Sequence, residues 1–254
     1  MNSQQNKLAQ FSEGSIYFIH IRKTAGRSLA SVLNKADRQR KNARVDNTKQ
    51  YFFQCCQNPG QFKNSIIGTH FNYGLHLGNF RHLLGLEKYA YVTILRDPVE
   101  RAISFYYYIL RERPAEYEHP LFKKAKECGL KEFYEWGVQN IQVKHLCNPN
   151  FFSNPSLATK VEQAKYNLEH KFAYFGISEY FSDSVRLLNH VFGWNYPLSD
   201  LPTKNKNAQR PEQENISAET LDYLREVHQP EYEVYDFAVK LFKERVALLP
   251  VEEG

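Results

Sequence analysis

The chain is short of the features that mark several protein classes. Four cysteines in 254 residues include no C-x-x-C pair, so neither a disulfide scaffold nor a redox dithiol is indicated. Cys55 and Cys56 are adjacent and badly placed to bridge each other, which points to a reducing compartment. No apolar run reaches the ~20 residues that a helix needs to cross a bilayer. Residues 1–10 are polar and contain no apolar h-region, so no signal peptide is read there and a cytoplasmic setting is the expectation. Charge of one sign does not dominate. The balance of 33 Lys and Arg to 28 Asp and Glu gives +5, mildly basic and short of the clustered excess of a nucleic-acid-binding chain. The densest basic run, residues 35–49 with Arg38, Arg40, Lys41 and Arg44, reads as a solvated connector or as a patch that steers an anionic ligand. There is no internal repeat, low-complexity tract or metal-ligand cluster.

What is abundant is aromatic surface to bury. Phe, Tyr and Trp make up 15% of the chain, which argues against disorder. The length suffices for a sizeable core. The expected organisation is a single domain over residues 1–254, with a polar tail at 1–14 and an irregular insertion at 36–63. Strands are expected at 16–21, 65–69, 89–95 and 171–177. Helices are expected at 26–35, from 98 onward, and at 121–128, 130–146, 156–169, 180–192, 217–228 and 231–247. Alternation of strand and helix predicts an α/β fold, a central parallel sheet flanked by helices on both faces.

Two segments carry most of the functional signal. Residues 16–29 (IYFIHIRKTAGRSL) and 89–108 (YAYVTILRDPVERAISFYYY) each run from an apolar strand through a cationic turn into an amphipathic helix. A helix N-terminus presents unpaired N–H groups and a positive dipole end, so each turn is a natural anion site. The first turn is not a Walker A loop, because Phe18 and Arg22 stand where that motif requires glycine. The shorter turn from Lys23 to Ser28 can still wrap one phosphate with its N–H groups and the Thr24 and Ser28 hydroxyls. In the second, Asp97 is placed to cap the helix, Pro98 suits its first position and Glu100 completes a capping-box pattern. Val99, Ala102, Ile103, Tyr106, Ile109 and Leu110 form its apolar face, with Glu100, Arg101 and Ser104 opposite. Lys23, His70 and Arg96 each follow the end of an expected strand, and ligands of parallel sheets bind beyond those ends.

These segments resemble the sulfotransferases that use 3′-phosphoadenosine 5′-phosphosulfate (PAPS). Residues 20–29 (HIRKTAGRSL) are similar to their 5′-phosphosulfate loop, usually HIPKTAGTSL, and residues 95–107 are similar to their 3′-phosphate motif. The likeness is strongest to the carbohydrate branch with its bacterial relatives. It extends to residues 68–76 (GTHFNYGLH), 140–146 (NIQVKHL) and 175–184 (FGISEYFSDS). The resemblance implies a P-loop-like core and PAPS as donor, with no metal. It implies that Lys23, Thr24, Ala25, Gly26, Arg27 and Ser28 hold the 5′ end, while Arg96 and Ser104 hold the 3′-phosphate. It implies Lys23 as the catalytic cation and His70 as general base, with His76 the alternative. His20 is read as buried scaffold. The acceptor implied is a hydroxyl of a glycan or small metabolite. A late basic loop, residues 203–210, is the counterpart of the segment that closes over the nucleotide, and Asn140, Gln142 and Lys144 are read as lining the acceptor side. Arg22 and Arg27 depart from the family's Pro and Thr. Two other readings compete: a magnesium–ATP phosphotransferase, supported by Asp97 after an apolar strand, and a non-catalytic protein that binds a nucleotide or an anionic polymer.

Overall fold

A computed structural model describes residues 14–45, 54, 57–58, 61–62, 64–70, 72–74, 89–111, 120–147, 155–202 and 216–250. Three apolar stretches form strands in which nearly every residue is buried: β1 (Ser15–Ile19), β3 (Ser65–Thr69) and β4 (Tyr89–Leu95). Runs without a polar alternation suit the interior of a parallel sheet, where both faces are covered. With β2 (Lys41–Val45) and β5 (Phe172–Ile177) they make a five-stranded sheet in the order β2-β3-β1-β4-β5. All four pairings are parallel. The carboxyl ends of β3, β1 and β4 therefore lie side by side on one edge.

Register shows which side chains share a face. Gly68, Phe18, Val92 and Tyr174 are in line across the sheet, as are Thr69, Ile19, Thr93 and Phe175. The Tyr174 hydroxyl donates to the Ser184 carbonyl of α7 (Phe181–Phe192), on the first face. Phe18 and Gly68 face α1 (Gly26–Ala36) across a cavity on that same side. On the second face the Arg245 guanidinium of α9 (Gln229–Ala247) lies 4.9 Å from the Phe175 ring. Helices thus cover both faces, as the alternation of elements predicts. Tyr17, Phe18, Tyr174 and Phe175 are fully buried, and burying an aromatic or aliphatic side chain of this size contributes roughly 1.5–3 kcal/mol.

A second apolar cluster forms beside the sheet. Val99, Ala102, Ile103, Tyr106 and Ile109 of α2 (Pro98–Arg111) pack with α3 (Pro120–Glu127), α4 (Leu130–Glu135) and Leu224 of α8 (Ala218–Val227). Leu110, read as part of this face, is exposed. Arg101, placed on the face opposite the apolar one, is 1% accessible.

Two other expectations change. The 36–63 stretch is not irregular throughout, since β2 runs within it as an edge strand. Its charged sequence carries no apolar alternation, but an edge needs only a backbone ladder to β3. Asp37 prepares the entry, accepting from the N–H groups of Gln39 and Arg40 at 3.1 Å and pairing with the Arg40 guanidinium. The expected helix at 130–146 is two helices, α4 and α5 (Ile141–Leu146). Gly137 at φ 107° and Asn140 at φ 56° break it, because the left-handed region does not continue a right-handed helix. The remaining long helix, α6 (Leu157–His170), leads into β5 from an N-cap at Ser156. His76 and residues 203–210 lie outside the described residues.

Candidate active site

The turn after β1 is closed by bonds among its own residues. Lys23 at φ 70° and Ala25 at φ 65° are both left-handed without being glycine, a conformation that costs roughly 1–3 kcal/mol per residue. Short-range bonds hold it. The Thr24 hydroxyl donates to the Ile21 carbonyl at 2.9 Å, and the N–H groups of Ser28 and Leu29 donate to the Ala25 carbonyl. Thr24 is fully buried, so its hydroxyl proton closes the turn rather than pointing outward. Ala25 caps α1 without a side-chain bond, and no acidic residue lies in the first turn. The N-terminus of α1 therefore keeps its positive end for an anion. The Lys23 ammonium sits 4.3 Å from the Tyr108 ring centroid, a cation–π contact that fixes where the charge stands.

The turn after β4 is held from a distance. Arg96 is largely buried, with a side chain 19% accessible. Its Nη1 donates to the Lys23 carbonyl at 3.2 Å, which joins the two turns directly. Its Nη2 donates to Glu100 Oε2 at 2.8 Å, and its Nε is 3.9 Å from Glu179 Oε1. Asp97 Oδ1 accepts from the Glu100 N–H at 2.8 Å and caps α2 as expected. The reciprocal half of the capping box is replaced: the Asp97 N–H donates to Glu179 at 3.2 Å, and the Glu100 carboxylate is turned to Arg96. Ser104, one helical turn beyond Glu100, is half-buried on the same stripe.

His70 follows β3 and meets the first turn from the other side. Its Nδ1 is 2.6 Å from the His20 carbonyl oxygen, which can only accept, so Nδ1 carries the proton. In the neutral ring the lone pair is then on Nε2, the arrangement a general base requires. The His20 and His70 rings stack at 4.7 Å. A Cβ at Gly26 would come within 2.0 Å of the His20 ring. Gly26 thus allows the imidazole to rest on the start of α1. A cavity of about 560 Å³ opens beside this stack, lined among others by Arg27, Ser31, Asn34 and Asn42.

The predicted residues of the first turn, Arg96 and His70 are brought together along one sheet edge, and Ser104 lies on the helix that leaves it. Arg27 is exposed, and its side chain lines the cavity. His20 is half-buried one residue beyond β1 rather than within it. Asn140 and Gln142 are interior, 6% and 2% accessible, and do not line an open cleft. Sequence reasoning gave no role to Glu179, and it read Tyr108 as core or cleft wall without its contact with Lys23. Glu179 lay in a quoted segment, but the Asp97 N–H that it takes was assigned to Glu100 by the capping-box pattern, so no local signal pointed to it.

A profile of the sulfotransferase family matches residues 8–238. Heparan sulfate 2-O-sulfotransferase 1 of Gallus gallus is 26% identical over 174 residues, which cover 62% of this chain and 48% of the relative. Heparan-sulfate 6-O-sulfotransferase 2 of Danio rerio is 27% identical over 193 residues, 65% of this chain and 40% of the relative. The chain thus spans about half the length, or less, of these curated relatives. Among solved structures, mouse sulfotransferase SULT7A1 complexed with PAP superposes with a TM-score of 0.43 at 15% identity, over 77% of this chain and 66% of that one. No described helix is long and apolar enough to cross a membrane. With the family profile covering most of its length, the chain belongs to the sulfotransferase family.

Proposed function

We propose that this chain transfers the sulfuryl group of PAPS to a carbohydrate hydroxyl. One observation carries the reading: Arg96 donates to the Lys23 carbonyl, so two anion-binding turns form one unit suited to a nucleotide with phosphate at both its 5′ and 3′ ends. The turn from Lys23 to Ser28 takes the 5′ phosphosulfate. Arg96 and Ser104 take the 3′-phosphate, the guanidinium as a charged fork. Of the acceptor classes, carbohydrate is favoured by the heparan sulfate relatives. The cavity beside His70, with Arg27, Asn34 and Asn42 on its wall, offers the cation and amides that a hydroxyl-rich, anionic sugar would use.

The reaction is an in-line displacement. The acceptor oxygen forms a bond to sulfur while its proton passes to His70 Nε2. The bond between sulfur and the bridging phosphate oxygen breaks, and 3′,5′-diphosphoadenosine leaves. Lys23 meets the negative charge that develops on that bridging oxygen. The phosphotransferase reading finds no further support in Asp97, because one carboxylate oxygen caps α2 and the other accepts from Tyr232 at 3.1 Å.

The test is calorimetric titration with 3′,5′-diphosphoadenosine and with ATP, each with and without magnesium. The expected result is magnesium-independent binding of the diphosphate alone. Arg96→Ala should weaken that binding about 10- to 100-fold, the range for a charge-assisted hydrogen bond, and leave 5′-AMP binding within a factor of two. Magnesium-dependent ATP binding, or equal loss of both nucleotides in the variant, would sink the assignment.

A further inference from the structure

The Arg96 turn is gripped by residues far from it in sequence, and most of them meet on one stretch of the last helix. Gln142 holds the Arg96 peptide at both ends: its Oε1 accepts from the Arg96 N–H at 3.0 Å, and its Nε2 donates to the Arg96 carbonyl at 2.8 Å. Gln142 is in turn held by α9, whose Glu231 Oε1 accepts from the Gln142 N–H at 3.3 Å and from Arg101 Nε at 3.2 Å. One residue on, the Tyr232 hydroxyl donates to Asp97 Oδ2. One turn on, the Tyr235 hydroxyl donates to Glu179 Oε2 at 2.9 Å, and the other oxygen of Glu179 takes the Asp97 N–H.

This cluster is costly as scaffold. Arg101 and Glu231 are 1% and 0% accessible. Arg101 Nη2, Glu231 Oε2, Asn140 Oδ1 and His228 Nε2 are buried without a partner among the described residues. Apolar packing of equal volume commonly serves stability as well as a buried ion pair or better, and partly satisfied networks are the poorer choice. The bonds that are made converge on one element, the peptide and neighbours of Arg96.

We infer that Gln142, Glu231, Tyr232 and Tyr235 are positioning residues that set the Arg96 guanidinium for the 3′-phosphate, so that α9 acts as the brace of the nucleotide site. The inference rests on the assignment of Arg96 given above. A general loss of fold would weaken every nucleotide alike, whereas loss of the brace removes selectivity for the 3′-phosphate.

The experiment compares dissociation constants for 3′,5′-diphosphoadenosine and 5′-AMP. In the unaltered chain the diphosphate should bind more tightly by the Arg96-dependent factor. Gln142→Ala, which removes two hydrogen bonds, should weaken the diphosphate about tenfold and 5′-AMP less than twofold. Tyr232→Phe combined with Tyr235→Phe, two half-buried positions that lose only hydroxyls, should act in the same direction and keeps the test open if Gln142→Ala does not fold. An unchanged ratio of the two constants in the tyrosine double variant would overturn the inference while leaving the Arg96 assignment intact. Equal affinity for both nucleotides in the unaltered chain would overturn the assignment itself, and the brace with it.

Discussion

The two turns proposed to hold the ends of the nucleotide are built in opposite ways. The Lys23 turn is closed by local bonds that span three or four residues, and its strain sits in two left-handed residues of its own, with Arg96 and Tyr108 touching it from outside. The Arg96 turn has little of its own beyond the Asp97 cap and the Glu100 carboxylate. It is fixed by partners 46, 82 and 135 residues away: Gln142, Glu179 and Tyr232. A loop that wraps a reacting group needs its N–H groups locked before any ligand arrives, and local bonds do that with little dependence on the rest of the fold. A cation that must reach a phosphate at a set distance needs its base anchored against the whole domain. The difference predicts separable failures. Damage to the first turn should appear in turnover, and damage to the second in nucleotide selectivity.

The largest effects should come at the reacting end. Lys23→Ala and His70→Ala should each lower kcat by about 10²–10⁴, the usual range for a lost oxyanion donor or general base, while diphosphate affinity changes less than tenfold. Steady-state kinetics beside calorimetry would show this split. Equal losses in kcat and affinity for Lys23→Ala would place that residue in binding alone. Retained turnover in His70→Ala would move the base elsewhere on residues 68–76.

A smaller effect sharpens the claim that the first turn is locally determined. Gly26→Ala drives a methyl group into the His20 ring. Overpacking of this kind costs about 1–3 kcal/mol, measurable as a fall in Tm together with weaker donor binding. Adding His20→Ala should recover most of both. If the double variant is no better than Gly26→Ala, the ring is not the obstacle and the turn depends on something more remote.

The smallest effect belongs to the brace behind the second turn. Burial, partly opposed by Glu231, holds the His228 imidazole below its ordinary value. A group that ionises less readily folded than unfolded binds more protons unfolded, so stability falls as pH drops below the unfolded value of about 6.5. It is flat above that point as far as this group is concerned. Tm measured between pH 5 and 8 should decline on the acid side, and His228→Phe should shallow that decline. An unchanged acid slope in the variant would assign it to the carboxylates instead.

Legibility in the sequence followed the same division. β3 and β4 run as read, over Ser65–Thr69 and Tyr89–Leu95, because uninterrupted apolar runs bounded by polar turns have few alternatives. The Asp97 cap was readable, since capping is a local bond. Glu100 defied its pattern because a tertiary contact, Glu179, took the N–H it was expected to serve and left its carboxylate for Arg96. Arg101 fell on the face opposite the apolar one, for want of any sign that Glu231, 130 positions later, would meet it in the core. β2 was invisible, because an edge strand held by its backbone leaves no mark in side-chain periodicity.

By itself, the sequence determined the α/β class, the cationic turns after β1 and β4 and the placement of Lys23, His70 and Arg96 at strand ends. Each of these follows from spacing, capping and apolar runs within some twenty residues. Only the tertiary structure decided that Arg96 touches the Lys23 turn, that His70 donates its Nδ1–H to the His20 carbonyl, and that the last helix stands behind the second turn. Those contacts join residues 50 to 135 positions apart, and their geometry is fixed by how parallel strands align and how helices pack over them, information that no local pattern contains.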